Sequence, residues 1–185
     1  MKGLIITISG KAGSGKSTVA KLLAKNLGFR HYSIGDMRRK MAKEKGLTLA
    51  ELNRLGEKED FTDKKVDEFQ RELGKKEASF VIDGRTSFYF IPHSVKIYLI
   101  ADLKMRAERV LKDERVAENF KSLQDAGRSL AEREKSDAKR YKKYYGIDVN
   151  DKKNYDLVID TTKVRPEEIV ERILEFLREK KNYKI

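Results

Sequence analysis

The sequence predicts an α/β fold in three layers, with a parallel sheet of about five strands flanked by helices. The first observation is a set of short apolar runs rich in β-branched residues, as expected for strands covered on both faces: Leu4–Ile8, Phe80–Ile82, Val95–Ile100 and Leu157–Ile159. Phe29–Ile34 is more polar and is predicted as a further short strand. The second is that segments with helical spacing of apolar residues separate these runs. Strands that alternate with helices favour a parallel sheet, because parallel neighbours need long crossover connections.

Capping residues and apolar stripes place the helices between these strands. The first helix is predicted from about Lys16 to the C-cap Gly28, with an apolar stripe formed by Val19, Leu22, Leu23 and Leu27. The final helix follows Pro166, which suits an early helical position, and its stripe consists of Ile169, Val170, Ile173, Leu174 and Leu177. The other helices are predicted from about Asp36, from a capping box at 48–51, over Thr62–Lys76, from Asp102, and from a second capping box at 129–132 to about Tyr145.

Composition limits the classes of protein to which the chain can belong. Its 185 residues suit a single domain over residues 1–185, and there is no cysteine for a disulfide or a thiolate metal site. The apolar runs are too short to cross a membrane, so we expect a soluble, cytoplasmic protein without a membrane partner. The net charge of +12 suits anionic partners such as nucleotides or nucleic acid, although a solvated charged surface explains any single basic cluster as well.

A glycine-rich segment between the first strand and the first helix carries the clearest motif. It fits the phosphate-binding pattern G-x-x-x-x-G-K-[ST] and predicts that ATP is bound by Gly10, Lys11, Ala12, Gly13, Ser14, Gly15, Lys16, Ser17 and Thr18. Backbone N–H groups in such a loop point at phosphate oxygens, and the helix N-terminus adds positive potential. Lys16 is expected to reach the β- and γ-phosphates, and the Ser17 hydroxyl is expected to be a ligand of Mg²⁺.

Three further segments carry charged residues in positions that suit a phosphate-transfer site. Asp83-Gly84-Arg85 follows a strand, where ligand crevices of parallel sheets lie, so Asp83 is expected to hold a water of the Mg²⁺ shell and Arg85 an acceptor phosphate. The segment Arg133-Glu-Lys-Ser-Asp137-Ala-Lys-Arg140 places two arginines and an aspartate on one helix face. The third segment is Gly35-Asp-Met-Arg-Arg39. Taken alone, the first two segments also fit a surface turn and a solvated helix, and the third also fits an exposed basic turn.

Together, these four segments resemble the nucleoside monophosphate kinases and, among them, the cytidylate kinases, especially the short archaeal kind. The resemblance covers nearly the whole chain and implies a P-loop NTPase fold with a small lid at about 112–136. It also implies an acceptor-binding helical segment at about 35–77. In that family Gly35 and Asp36 would line the acceptor site, Arg39 would grip the acceptor phosphate, and Arg38 stands where an apolar residue is usual.

The resemblance also assigns roles to the helix that follows the lid. Arg133 and Arg140 would contact the transferring or acceptor phosphates, and Asp137 would bind the acceptor sugar. Asp137 is expected to stay ionised between the two arginines. If Arg140 is such a contact, its loss should cost turnover and leave the melting temperature nearly unchanged. The expected catalytic residues are Lys16, Arg39, Arg85, Arg133 and Arg140, with Asp83 and Asp137 also in the acceptor site.

The acceptor base is less well defined by the sequence. Bacterial cytidylate kinases have a further aspartate where this chain has Thr86, so a base reader is expected instead among Asp60, Asp63, Asp67 and Gln70. CMP or dCMP is the expected acceptor, and another monophosphate or a phosphorylated metabolite stays open. A basic P-loop NTPase that binds nucleic acid and a non-catalytic nucleotide-binding protein are the alternatives from other classes, although no nucleic-acid module is recognisable. His31 and His93 are interpreted as solitary, without a partner at ligand spacing.

Overall fold

A computed structural model describes residues 3–59, 61–113 and 120–180. The strands are β1 (Ile5–Gly10), β2 (Arg30–Ser33), β3 (Phe80–Asp83), β4 (Val95–Ile100) and β5 (Leu157–Asp160). The helices are α1 (Lys16–Leu27), α2 (Ile34–Glu44), α3 (Leu49–Lys58), α4 (Phe61–Lys76), α5 (Ser87–Phe90), α6 (Leu103–Leu111), α7 (Leu123–Tyr145) and α8 (Pro166–Glu179), with a short 3₁₀ turn at Lys152–Asn154. The predicted alternation of strands and helices is confirmed.

The described strands form one parallel sheet in the order β2-β3-β1-β4-β5. In this order β1 is central, with Ile8 paired to Asp83 on one side and to Ile97 on the other. The carboxyl ends of β1 and β3 therefore lie side by side, and both motifs that follow these strands open at the same edge. This edge is where ligands bind in open parallel sheets.

Two apolar cores cover the two faces of the sheet. On one face α1 and α8 pack against β1, β3 and β4, and Ile6, Leu23 and Ile173 are fully buried there. On the other face, side chains of α2, α3 and α4 pack around Phe80 and Ile82. The predicted stripes of the first and last helices form the first core, with Leu22, Leu27 and Leu174 partly buried at its margin. Helices on both faces of the sheet give the three predicted layers.

Most helix boundaries agree with the sequence, and one prediction is wrong. The capping box at Thr48 is present, and Gly28 caps α1 in the left-handed conformation with φ of 67°. The capping box predicted at Ser129 is not a helix start, because α7 already begins at Leu123. The hydroxyl of Ser122 caps this earlier start by accepting from the N–H of Asp125.

The early start of α7 changes the form of the predicted lid. Ala126 and Leu130 are buried one turn apart, and this apolar contact extends the helix past Gly127. The second half of the segment at 112–136 is therefore helical, while residues 114–119 lie outside the described residues. Among the helices of the described ranges, none combines the length and apolar character that a membrane crossing requires.

Candidate active site

The glycine-rich loop wraps around the end of β1 and leads into α1 without a break. Gly10 has φ of 146° and Gly13 has φ of 79°, and both lie against neighbouring backbone. A Cβ at Gly10 would meet the carbonyl oxygen of Leu99 at 2.3 Å, and one at Gly13 would meet that of Arg106 at 2.6 Å. Glycine is therefore required at these two positions for both conformation and space. These two glycines allow the close turn on which a phosphate-binding loop depends.

Two arginines that the sequence analysis did not single out hold this loop from behind. Arg106 of α6 is buried and donates to the carbonyls of Ala12, at 3.4 Å, and Ala101, at 3.1 Å. Arg109 donates to the carbonyls of Gly13, at 3.4 Å, and Thr161, at 2.6 Å. Their spacing of three on the predicted helix from Asp102 was the only local signal, and a solvated helix face explains it equally well.

Lys16 lies at the start of α1 in a strongly cationic environment. Its Nζ donates to the carbonyl of Lys11 at 2.7 Å. Burial and the nearby guanidinium groups of Arg85 and Arg133 together lower the pKa of Lys16 to about 7, against the opposing effect of Asp83. A lysine and two arginines that repel one another in this way form a site that a bound polyanion would stabilise.

Asp83 and Ser17 meet at the junction of β3 and the loop. The Ser17 hydroxyl donates to Asp83 Oδ2 at 2.9 Å, and the Ser33 hydroxyl donates to the same oxygen at 3.3 Å. His31 is not solitary, because its Nε2 lies 2.7 Å from Asp83 Oδ1. This prediction failed because β2 and β3 are adjacent in the sheet although His31 and Asp83 are 52 residues apart.

This oxygen-rich junction suits a magnesium ion. A hydroxyl and a carboxylate are the hard ligands that Mg²⁺ prefers, and the ion is commonly held by one or two protein oxygens together with substrate phosphates. Across residues 3–59, 61–113 and 120–180, no cluster of three or more His, Cys, Asp or Glu side chains has the geometry of a metal cage. The donor set of Ser17 and Asp83 therefore fits Mg²⁺ shared with a nucleotide.

The predicted acceptor arginines approach the same crevice from the other side. Arg39 forms an ion pair with Asp36 one turn earlier, and its guanidinium lies over Gly35, where a Cβ would meet it at 3.5 Å. Arg85 forms an ion pair with Asp137, which is almost fully buried. Burial alone would raise the pKa of Asp137, but Arg85, Arg140 and Arg133 outweigh it and hold that pKa below its usual range.

Arg140 lies behind Asp137 in a fully buried ion-pair network. Only 1% of its side chain is exposed, and it donates to Asp137 Oδ1 at 2.5 Å and to both oxygens of Asp63 at 2.8 Å. Arg38, also buried, donates to Asp63 at 2.6 Å and to Asn53 at 3.0 Å. No local pattern in the sequence indicates a function for Arg38 and Asn53, because residues of α2, α3, α4 and α7 meet here only in the folded chain.

Glu134 connects α7 to the phosphate-binding loop. Its Oε2 lies 2.8 Å from Lys11 Nζ, and its Oε1 forms an ion pair with Arg106. The carbonyl of Lys11 in turn accepts a hydrogen bond from Lys16 Nζ. The helix that carries Asp137 and Arg140 therefore contacts the donor loop and the acceptor side at once.

A single cavity of about 470 Å³ joins these elements. Its walls include predicted residues of the donor loop and of the acceptor side, namely Ala12, Gly13, Ser14, Gly15, Lys16, Ser17, Thr18, Gly35, Arg39, Asp83, Arg85 and Arg133. They also include residues to which the sequence analysis gave no function, among them Arg38, Asn53, Arg109, Tyr141, Thr161 and Pro166. Five residues predicted for ATP binding, for the acceptor phosphate and sugar, or for catalysis do not line it, namely Gly10, Lys11, Asp36, Asp137 and Arg140. Gln70, a candidate base reader, does not line it either.

Comparison with known proteins gives a consistent result. Residues 5–163 match the sequence model of the cytidylate kinase-like family. A cytidylate kinase of Pyrococcus abyssi is 42% identical over 181 residues, which cover 96% of this chain and 97% of that protein. A cytidylate kinase of Methanobrevibacter smithii is 38% identical over 175 residues, which cover 95% and 99% of the two chains.

Solved structures share the fold at lower identity. A crystal structure of a protein from Eubacterium ventriosum has a TM-score of 0.70 at 22% identity, covering 95% of this chain and 98% of that one. Shikimate kinase from Acinetobacter baumannii, solved in complex with shikimate, has a TM-score of 0.63 at 17% identity and covers 98% and 97%. These similarities concern the fold alone, and that fold is the predicted three-layer arrangement of P-loop kinases.

Proposed function

The chain belongs to the cytidylate kinase-like family, and we propose that it transfers the γ-phosphoryl group of ATP to CMP or dCMP. The observation that carries this proposal is the single cavity between the phosphate-binding loop and the arginines of the acceptor side. Two nucleotides that meet end to end need such a crevice, with their phosphates at its centre and their bases at opposite ends. The product is the corresponding diphosphate together with ADP.

The donor half would hold ATP through the loop and through Lys16. Backbone N–H groups of 10–18 and the N-terminus of α1 would bind the phosphates, and Lys16 would neutralise the β- and γ-oxygens. A bound polyphosphate would also offset the repulsion between Lys16, Arg85 and Arg133, and so keep Lys16 protonated. Arg109 and Pro166 line the cavity beyond the loop, which gives the rest of the donor nucleotide a wall.

Ser17 and Asp83 are the residues that would hold magnesium, Ser17 directly and Asp83 through a water. When bound, the ion would supply charge neutralisation on the donor phosphates and help to orient them. His31 and Ser33 hold the Asp83 carboxylate in place by their hydrogen bonds. Kinases of this family use ATP and Mg²⁺ in general, and the assignment to these two side chains is part of the proposal.

The acceptor half would grip the monophosphate through Arg39 and Arg85. Both guanidinium groups line the cavity, and each is held by one aspartate, Asp36 and Asp137 respectively, which the acceptor phosphate would replace or share. Asp137 would then be released to bind the acceptor sugar. No general base is needed, because the second pKa of a phosphate is about 6 and the attacking oxygen is already largely anionic at neutral pH.

Catalysis would come from bringing two polyanions together and from stabilising the charge that moves between them. Arg133 lines the cavity near Lys16 and would bridge the transferring group. Arg140 would act together with Arg133 through Asp137, to which Arg140 donates a hydrogen bond. The segment at 112–136 would close as a lid and exclude water, which suppresses hydrolysis of ATP. The lid and the cytoplasmic location stay predictions of the sequence.

A panel of acceptors tests the proposal. The protein is incubated with ATP, Mg²⁺ and each nucleoside monophosphate in turn, and the nucleotides are separated by chromatography. Conversion of CMP or dCMP to the diphosphate, with ADP formed in equal amount, is the expected result. ATP hydrolysis that is stimulated by nucleic acid and forms no diphosphate would instead favour the basic NTPase alternative, and binding of ATP without turnover would favour a non-catalytic nucleotide-binding protein.

A further inference from the structure

The candidate base-reading side chains on the acceptor side differ in the partners that they already have. Asp63 accepts from both Arg38 and Arg140, so its charge is already balanced by two guanidinium groups. Gln70 is fully buried, does not line the cavity, and its Oε1 accepts from the hydroxyl of Ser87 at 2.7 Å. Asp60, the fourth candidate for reading the base, lies outside the described residues.

Asp67 is the remaining candidate, and its surroundings differ from those of Asp63. It lines the cavity with only 5% of its surface exposed. Oδ2 accepts a hydrogen bond from the Tyr145 hydroxyl, and within the described part of the chain Oδ1 has no hydrogen-bond partner and the carboxylate forms no ion pair. Burial raises the pKa of Asp67 to about 6, although Tyr145, Arg71 and Arg38 act in the opposite direction.

A buried carboxylate that forms no ion pair is costly to the free protein. When such a group lies in a cleft, it is a candidate for contact with a ligand that supplies the missing donors. Asp67 faces a cavity, and one of its two oxygens can accept a further hydrogen bond. The ligand group that fits is therefore a hydrogen-bond donor, and an acceptor at the same place would be repelled.

We propose that Asp67 accepts a hydrogen bond from the exocyclic amino group of the acceptor cytosine, and that Tyr145 positions it for this contact. This assignment rests on the proposed function and names the residue that discriminates between bases. Cytosine presents an amino donor at C4, to which a carboxylate is a suitable acceptor. Uracil presents a carbonyl acceptor at the same position, so its O4 would face a carboxylate and no hydrogen bond could form. Asp67 therefore favours CMP over UMP.

The position of Asp67 in the cavity agrees with this role. It lies one residue after Val66 on α4, and Val66 and Ile34 add apolar surface to the same cavity wall, which suits the faces of a pyrimidine ring. Tyr145 reaches Asp67 from the end of α7, and its ring packs against Phe90 and Tyr141. A tyrosine fixed in this way leaves little freedom to the carboxylate that it holds.

The substitution Asp67→Asn tests the assignment, because asparagine has the same shape and can present an N–H to the uracil carbonyl. We expect the ratio of kcat/KM for CMP to that for UMP to fall about 100-fold or more, by a loss on CMP and a gain on UMP. Binding of CMP and UMP, titrated without ATP, should change in the same sense. The variant should be at least as resistant to urea as the wild type, since it removes a buried carboxylate whose pKa is raised.

Two further variants separate base reading from a general effect on α4. Glu68→Gln changes the next residue, which is exposed on the same helix, and should leave the ratio unchanged. Tyr145→Phe removes the positioning hydrogen bond and should lower the ratio by a smaller factor than Asp67→Asn. If Asp67→Asn leaves the ratio of CMP to UMP unaltered while the wild type phosphorylates CMP, the assignment of Asp67 is wrong and the proposed function stands. A wild type that does not use CMP would contradict the proposed function itself.

Discussion

The donor loop and the acceptor side of the cavity recognise phosphate in different ways. The loop uses backbone N–H groups, and its shape depends on glycines at positions where any side chain would collide with β4 or α6. The acceptor side uses guanidinium groups that are held by aspartates, as Arg85 is by Asp137. A backbone site is specified by a short local pattern, whereas a side-chain site depends on several helices being packed correctly.

The two regions therefore depend differently on fold stability. Lys16 can be removed from the loop without breaking an ion pair to a buried carboxylate, because in the described residues its Nζ donates to the carbonyl of Lys11. On the acceptor side, Arg85 and Arg140 balance the almost fully buried carboxylates of Asp137 and Asp63, so that recognition and stability are coupled there. Substitutions in the two regions should differ in how they divide their effects between turnover and unfolding.

The largest effect on stability is expected for Arg140→Ala. The variant leaves Asp63 and Asp137 buried with one cation fewer each, which should lower the free energy of unfolding by about 3–5 kcal/mol. Because Arg140 is buried, we expect Arg140→Ala to lower the melting temperature, contrary to the expectation from the sequence that it would hardly change. Urea unfolding measures the loss.

The neighbouring Lys139→Ala is the matched control for Arg140→Ala. Lys139 is exposed on the same helix and pairs with Glu57, so its loss should cost less than about 1 kcal/mol. Equal stability of the two variants would contradict a structural role for the buried network.

The next effect concerns turnover at the donor loop. Lys16→Ala should reduce kcat by about 10²–10³-fold, because it removes a charge that stabilises the transferring group. Its free energy of unfolding should be unchanged or higher, since a cation beside Arg85 and Arg133 is lost. Steady-state rates and urea unfolding of the same preparation check both parts. Lys21→Ala, an exposed lysine on α1, should behave as the wild type, and near-normal turnover of Lys16→Ala would exclude the loop as the donor site.

A smaller and more selective effect is expected for Arg85→Ala. The variant should weaken the binding of CMP about 10-fold to 100-fold, in line with the loss of a charge-assisted hydrogen bond of about 1.5–3 kcal/mol. Binding of ATP, titrated separately, should change much less, because the loop holds it. Some loss of stability should accompany this, since Asp137 keeps Arg140 as a partner but loses Arg85. Equal losses for both nucleotides would place Arg85 outside the acceptor site.

The same contrast explains how much of the molecule the sequence could predict. The fold class, the five parallel strands and the position of the loop follow from local patterns of apolar residues and glycines, and they are confirmed. The family expected from four short motifs is also confirmed. The roles of individual site residues stay predictions.

What the sequence could not predict depends on contacts between distant segments. Arg38 meets Asp63 and Asn53 across 25 and 15 residues, and Tyr145 meets Asp67 across 78, so no periodic pattern marks these pairs. His31 was interpreted as solitary for the same reason. The start of α7 was missed because Gly127 weakens the helical pattern, and the buried contact that compensates for it becomes visible only in the fold.

The fate of the γ-phosphoryl group tests the central claim most directly. The wild type is mixed with ATP labelled at the γ-phosphate, Mg²⁺ and CMP, and the labelled products are separated. The proposed function predicts that the label appears in CDP, at the rate at which unlabelled ADP forms, and that Lys16→Ala nearly abolishes the transfer. Label released only as inorganic phosphate, with none in CDP, would contradict a cytidylate kinase.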